Sequence, residues 1–532
     1  MKYLILKSIK SMIIHSLTHN GVLFPPEYSP QHIFNLSPLA EEMLYAYSSK
    51  LETEYVSKPE FNINFYSCLK RELNEEQLKM KFPDDFGKIF NKLNKYREEL
   101  KLSKKSEDEG KKELIKKKYG FAKVNGVKEP LGNFNVEPPG IFMGRGDSPY
   151  IGLWKYRVQP EDVIINFIPA TQNDKAPAAP KGHTWKEVIN NPDITYIARY
   201  IETVGKDSTG KPILKNAKEV RFGSTSSIIS ASDLKKYEKA DLLLENWQRV
   251  QTYIMSGIDS SDDTIRECAL IAWLIQYTSI RIGSEETENG VVGASTLKVE
   301  NVKIENAQFN GKKAFILHLN FIGKDSISYS NSFIIPAKIA KSLKKSAAGH
   351  KTSEKLFTVS ANQVNQFLSE CLPGLTAKVF RTAWAKKVLL EIYKPSEFVK
   401  SWPDDYKVLK LKILILDVSL RLNHKKTTKT VLSNTLEKLN DQLNKLSEKL
   451  ELLKAANRTE AMKSRIKKLE WKIKTQQLKI VLAEKSYGIN LSTALTNYIN
   501  PKVIYDICKS KGIKLEKIYN KTLMERFKNV FK

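Results

Sequence analysis

Arg281, Lys324, Arg381, His424 and Tyr498 are the residues in this 532-residue sequence whose types could together do chemistry. A tyrosine oxygen becomes a nucleophile when neighbouring cations help it ionise, and guanidinium, ammonium and imidazole groups donate hydrogen bonds to an anion. Arg281 follows the apolar run ALIAWLIQYTSI at 269–280, and Lys324 falls between two β-rich runs. Arg381 lies in TAKVFRTAWAKKVLLEIY, an amphipathic helical stretch whose apolar face includes Val379, Ala383 and Val388. His424 sits in LRLNHKK and Tyr498 in LTNYINPK. Each also has an ordinary reading. An arginine beside an apolar helix snorkels or pairs with a carboxylate, and a lone tyrosine packs half-buried. Spacing alone does not choose between the two.

The elements that must carry these residues are partly legible. In AFILHLNFIGKDSISYSNSFII, 314–335, Phe315, Leu317, Leu319 and Phe321 alternate with their neighbours before Gly-Lys-Asp-Ser and a second β-rich run. That pattern predicts a hairpin with Lys324 at its tip. Leu432, Leu436, Leu439, Leu443, Leu446, Leu450 and Leu453 follow a 4-3 spacing, which resumes after 455–460 with Met462, Ile466, Leu469, Ile473, Ile480 and Ala483. Two matched arms predict an antiparallel coiled-coil hairpin, against the alternative of a dimerisation coiled coil. Between Lys425 and Lys485 there are 16 Lys or Arg and 7 Asp or Glu, so its outer surface is basic. VIINFIP at 163–169 reads as a buried strand, and the charged stretch 96–118 as solvated helix and loop.

Other clusters are better read as structure. Asp259, Asp262 and Asp263 fit a helix N-cap better than a magnesium site. His15 and His19 have no third ligand nearby, and Arg145-Gly146-Asp147 is a chance tripeptide. No GxxxxGK[ST] occurs, so nothing points to ATP. Lysine and arginine number 87 against 59 acids, a net charge of +28 that favours a polyanionic partner. Cys68, Cys268, Cys371 and Cys508 form no CxxC pair, which fits a reducing compartment. Lys2, Lys7 and Lys10 interrupt the opening apolar residues, and no long apolar run follows. A soluble, unsecreted protein is expected, with no membrane partner.

Segments spread over nearly the whole sequence resemble the eukaryotic-type IB DNA topoisomerases, in the order that family has them. They are NGVLFPPEYSP (20–30), LSPLAEE (36–42), NFNVEPPGIFMGRGDSP (133–149), PEDVIINF (160–167), GHTWKEV (182–188), SIRIGSEE (279–286), FIGKDSISYSN (321–331), TAKVFRTAWA (376–385), LNHKK (422–426) and EKIYNKTLMERF (516–527). The resemblance implies that Tyr498 is the nucleophile, forming a 3′-phosphotyrosyl link to one strand of duplex DNA. It implies that Arg281, Arg381 and His424 hold the scissile phosphate and that Lys324 is the general acid for the departing 5′ oxygen. It places Arg145, Lys155, Asp325, Lys378 and Asn497 against DNA. Sensitivity to camptothecin-type inhibitors is expected, because the types at Arg145, Asp325 and Asn497 match. So is a monomer clamped around the duplex that needs neither ATP nor an obligatory metal. Met143 departs from a position often basic in the family, and the resemblance begins almost at the family's core, so the charged N-terminal extension of nuclear members is not expected.

The expected fold is α+β: a bilobed DNA clamp with a mixed N-terminal lobe, a mainly helical catalytic domain of the tyrosine recombinase and topoisomerase IB type, and a coiled-coil linker. The expected divisions are a cap lobe at 1–235, a catalytic core at 236–424, the linker hairpin at 425–484 and a C-terminal domain at 485–532. The expected setting is intracellular and DNA-associated, in cytoplasm or nucleoid for an archaeal or viral host and the nucleus for a eukaryote. A tyrosine recombinase uses a similar constellation, although its tyrosine normally follows the histidine more closely. A non-catalytic architectural DNA binder, with Tyr498 merely packing, is the other alternative.

Overall fold

A computed structural model describes residues 14–104, 108–144, 148–283, 291–309, 311–324, 327–425, 432–455 and 459–531. The fold is α+β. The chain forms two compact units, Met1–Ser232 and Asp233–Lys532. Arg145, Gly146, Asp147 and Asp325 lie outside the described residues.

The first unit holds helices α1 (Pro38–Ser48), α2 (Pro59–Leu69), α3 (Glu75–Leu78), α4 (Gly87–Lys104) and α5 (Asp108–Tyr119). Ser37 starts α1 by accepting a hydrogen bond from the Ala40 amide at 3.1 Å, with Pro38 at the first helical position. Met43, Leu44 and Tyr47 then face Phe61, Phe65, Phe86 and Phe90 in one aromatic core. A small antiparallel sheet joins β1 (Leu17–His19), β2 (Phe121–Val124) and β3 (Val127–Pro130). A larger sheet contains β4 (Gly140–Ile141), β5 (Trp154–Lys155), β6 (Ile164–Asn166), β7 (Glu187–Ile189), β8 (Tyr196–Lys206) and β9 (Pro212–Arg221). Strand β6 comes from VIINFIP; it pairs parallel to β7 and antiparallel to β8, and its Ile165 and Asn166 are buried. The charged stretch 96–118 is helical on both sides of 105–107. His19 is a packing residue: Nε2 lies 2.9 Å from the Asn166 carbonyl, Nδ1 accepts from the Gly21 amide, and burial holds its pKa at about 4.

The unit boundary falls within α6 (Ser227–Glu245). After it come α7 (Trp247–Ile258), α8 (Asp263–Thr278), α9 (Ala337–Ala347), α10 (Ala361–Cys371), α11 (Ala377–Ile392) and α12 (Asp404–Arg421). Asp262 caps α8 through the Thr264 and Ile265 amides, while Asp259 pairs with Lys338 and Asp263 with Arg266. Residues Cys268 to Ile275 of α8 are all buried, so this helix is the axis of the core. The sheet beside it has three strands, β10 (Val302–Phe309), β11 (Lys312–Gly323) and β12 (Ile327–Ile335). The sequence reading found the β11–β12 hairpin but not β10, whose Glu305, Asn306 and Gln308 blur its alternation.

Helices α13 (Leu432–Ala455) and α14 (Glu460–Ser486) lie against each other as the two arms of a hairpin. Leu450 and Leu469 are buried in the seam, and so is Gln476, the position between Ile473 and Ile480 where the apolar repeat lapses. Gln476 Nε2 donates to the Leu439 carbonyl at 2.9 Å and to Gln442 at 3.1 Å, which fixes the register of the arms. Arm α14 also packs on α12, through Trp471 against Trp402 and Tyr406 and through Lys485 with Asp417 at 2.9 Å. The chain ends in α15 (Leu491–Asn497), α16 (Pro501–Lys511) and α17 (Lys521–Arg526). These share a core with α11 and α12 that includes Val388, Leu411, Ile415, Ile504 and Phe527. The buried Lys407 ammonium joins the two parts by donating to the carbonyls of Lys400 at 3.1 Å and Lys511 at 3.0 Å. All four cysteines are free and buried. Among the described residues no helix is long and apolar enough to cross a membrane.

Candidate active site

Three helix ends of the second unit and the buried face of α11 deliver the reactive side chains. Helix α8 ends at Ser279, whose left-handed backbone (φ 58°) turns the chain away so that Ile280 is buried and Arg281 is exposed. The turn is braced by the Ala294 amide donating to the Arg281 carbonyl at 2.8 Å. Gly283 and Gly293 touch there: a Cβ on Gly293 would meet the Gly283 nitrogen at 2.3 Å. Helix α12 ends in the same manner, with Asn423 left-handed (φ 54°) and the His424 amide returning to the Ser419 carbonyl at 3.0 Å. Asparagine tolerates that conformation, so the reversal aims His424 back into the core. Tyr498 follows α15 directly. Its amide reaches the Ala494 carbonyl at 2.9 Å, and Asn500 with Pro501 starts α16 at once.

Arg381, on the buried face of α11, ties these ends together. It donates through Nη1 to the Ser279 carbonyl and through Nη2 to the Leu422 carbonyl at 3.0 Å. The same Nη2 lies 3.2 Å from His424 Nε2. The guanidinium carbon is 5.0 Å from the centre of the Tyr498 ring, and the His424 and Tyr498 ring centres are also 5.0 Å apart. Burial works to raise the Tyr498 pKa. The charges of Arg381, Arg281 and Lys378, with a hydrogen bond from Arg381, outweigh it and leave the phenol below its ordinary value. Burial, then the charges of Arg381 and Arg281, push His424 down to about 3, so its imidazole is neutral near pH 7. Two buried nitrogens, Arg381 Nε and His424 Nδ1, find no hydrogen-bond partner within the protein. Other buried polar atoms, Trp154 Nε1 and Arg266 Nε among them, also lack a partner, so what distinguishes these two is their place beside the Tyr498 ring.

The structure therefore brings together Arg281, Arg381, His424 and Tyr498, with Lys378 close enough to act on the phenol. Lys378 is exposed on α11, and Asn497 is exposed as the last residue of α15, next to Tyr498. Lys324 is exposed just past the end of β11, one residue after the Gly323–Ile327 pair. Lys155 lies in the first unit, on β5. Its ammonium is bound 2.9 Å from Glu137 and 3.2 Å from Glu202 with a side chain only 15% exposed, so its charge is already neutralised internally. Tyr329 is a further residue of the site, one that residue type alone does not single out. Its buried ring pairs across the hairpin with Phe321 and lies close enough to Arg381 for their charges to interact. Extending the alternation of β11 through the turn identifies it.

Three family models match the chain. The one described as eukaryotic DNA topoisomerase I, DNA binding fragment, matches residues 14–209. The eukaryotic DNA topoisomerase I catalytic core matches 225–457, and the C-terminal topoisomerase domain matches 470–532. The chain belongs to the eukaryotic-type DNA topoisomerase I family. It is 31% identical over 549 residues to DNA topoisomerase 1 alpha of Arabidopsis thaliana, covering 96% of this chain and 58% of that protein. It is 28% identical over 553 residues to DNA topoisomerase 1 of Homo sapiens, covering 96% and 70%. For the Caenorhabditis elegans DNA topoisomerase 1 the identity is 29% over 550 residues, covering 97% and 66%.

Proposed function

We propose that this chain is a type IB DNA topoisomerase that relaxes positive and negative supercoils by cutting and resealing one strand of duplex DNA. The Tyr498 oxygen attacks a backbone phosphorus, the bond from phosphorus to the 5′ oxygen breaks, and a 3′-phosphotyrosyl link forms. The phenol gives its proton to water, and Lys324 supplies one to the departing 5′ oxygen. Attack adds negative charge to the non-bridging oxygens, which Arg281, Arg381 and His424 meet with N–H donors. A neutral His424 suits this role because it can still donate one hydrogen bond. Religation runs the same steps backwards. The tyrosyl ester conserves the energy of the broken bond, so neither ATP nor a metal is required. Rotation of the cut duplex about its intact strand, slowed by the basic hairpin of α13 and α14, removes supercoils. Camptothecin-type compounds are expected to trap the cut state, and a monomer suffices.

The observation that carries this reading is the convergence of Arg381 and His424 on Tyr498, each 5.0 Å from the ring centre of a phenol whose pKa cations have lowered. The test is relaxation of a supercoiled plasmid without ATP and with EDTA, comparing the chain with Tyr498→Phe. Wild-type protein should relax the plasmid and leave a protein–DNA adduct on a denaturing gel; Tyr498→Phe should do neither. Equal relaxation by both proteins, or an adduct that survives the substitution, defeats the assignment. Strand exchange between two marked sites in place of relaxation points to a recombinase.

A further inference from the structure

We propose that Tyr329 is a positioning residue that locks the Lys324-bearing hairpin to the end of α8, and thereby sets where the proton donor stands relative to the cation cradle. The inference rests on the reaction proposed above. Three observations support it. Phe321 and Tyr329 face each other in the β11–β12 register, with rings stacked 4.8 Å apart at 18°, and both are buried. Beyond them only the Ile322–Ser328 and Gly323–Ile327 pairs precede the turn, so this is the last aromatic pair before Lys324. The Tyr329 hydroxyl donates to the carbonyl of Thr278 at 3.4 Å. Thr278 is the final residue of α8, where carbonyls lack an intrahelical partner.

The next two links place this contact in the site. Ser279, one residue on, gives its carbonyl to Arg381, and Arg281 is two residues further. Tyr329 thus holds the hairpin to the short peptide that organises both arginines. Burial raises the Tyr329 pKa, so the hydroxyl keeps its proton and continues to donate in alkaline solution. Arg381 has a second anchor in the Leu422 carbonyl, independent of Tyr329. Loss of the hydroxyl therefore loosens the hairpin and its lysine while leaving the cradle around Tyr498 in place.

That separation makes the role measurable. Sulfur in place of the bridging 5′ oxygen leaves as a thiolate without needing a proton, so it bypasses the general acid. Single-turnover cleavage is measured on oxygen and sulfur duplexes for the full chain, Lys324→Ala, Tyr329→Phe and Tyr329→Leu. Tyr329→Phe keeps the ring stack and removes the hydroxyl, with its hydrogen bond to the Thr278 carbonyl and its contact with Asn331, so it should slow cleavage of the oxygen duplex roughly fivefold to tenfold. Its rate on the sulfur duplex should stay within about twofold of wild type, with Lys324→Ala showing the same recovery. Tyr329→Leu should lose more on oxygen and recover likewise; should it fail to fold, Tyr329→Phe decides. Equal slowing on both duplexes means a general structural role, and no slowing means no role; either result overturns the proposal. A wild-type chain that forms no Tyr498 adduct on either duplex overturns the reaction itself, an outcome distinct from both.

Discussion

The guanidinium of Arg381 stands 5.0 Å from the centre of the Tyr498 ring while two backbone carbonyls, those of Ser279 and Leu422, hold it from behind. The arginine is thus fixed by the ends of α8 and α12 before any substrate arrives. Preorganisation of this kind is where electrostatic catalysis gains most, since no dipole has to reorient as charge develops.

Arg381→Lys should therefore fail despite keeping the charge. A lysine has three donors at one point and cannot span Ser279, Leu422 and His424 together. Single-turnover adduct formation should fall by about 100- to 1000-fold, the usual cost of one lost oxyanion donor. Arg381→Ala should in addition lower the melting temperature, because each buried carbonyl left unpartnered costs about 1–3 kcal/mol. Near-normal cleavage by the lysine variant contradicts a bidentate role.

The Tyr498 phenol should ionise at a higher pH once Arg281 is neutralised. Arg281 is one of the charges that overcome burial and lower the phenol's pKa, so removing it shifts the balance upward. Titration of ring-labelled tyrosine by NMR, with Tyr498→Phe identifying the resonance, should show an alkaline shift in Arg281→Gln. An unmoved titration would mean that Arg281 is too distant or too well solvated to act.

His424 should make the fold sensitive to acid. Its pKa is about 3 in the folded chain against 6.5 for the free group. The stability this neutral histidine preserves is complete above pH 6.5 and is lost as the pH falls towards 3. At pH 5 the loss relative to pH 7 is about 2 kcal/mol. Urea unfolding of wild type and His424→Gln at the two pH values gives the difference directly. If both proteins lose stability in parallel, other groups cause the acid sensitivity.

Lys324→Ala should separate binding from cleavage. One lost phosphate contact changes the slope of log affinity against log salt by only about 0.9. Cleavage should suffer far more, because an alkoxide then leaves unprotonated. Affinity falling in step with cleavage would assign Lys324 to grip alone.

The sequence revealed the site unevenly. The β11–β12 hairpin and the α13–α14 arms were visible because periods of two and three and a half residues write themselves into apolar spacing. Val379, Ala383 and Val388 are buried on α11, but so are the consecutive Phe380, Arg381 and Thr382, so the helix is buried on more than the one face its apolar spacing suggests. The convergence of Arg281, Arg381, His424 and Tyr498 was not visible in any spacing. It depends on two left-handed residues, Ser279 and Asn423, whose backbone angles no periodicity encodes. Gln476 interrupts an otherwise apolar seam because its amide satisfies a neighbouring arm, a tertiary fact. The pairing of the Lys155 ammonium with Glu137 and Glu202 is likewise brought about only by the fold.

At the foot of the α13–α14 arms, the Asn490 amide donates to the His424 carbonyl at 2.7 Å, and Lys425 bridges to Ile489. The two strands of chain that enter and leave the arms are clasped beside the histidine itself. Everything distal to this clasp is a detour whose contour length does not enter the separation of His424 from Tyr498. Arms could lengthen, shorten or be nicked at their far end over evolutionary time while His424 and Tyr498 kept their spacing.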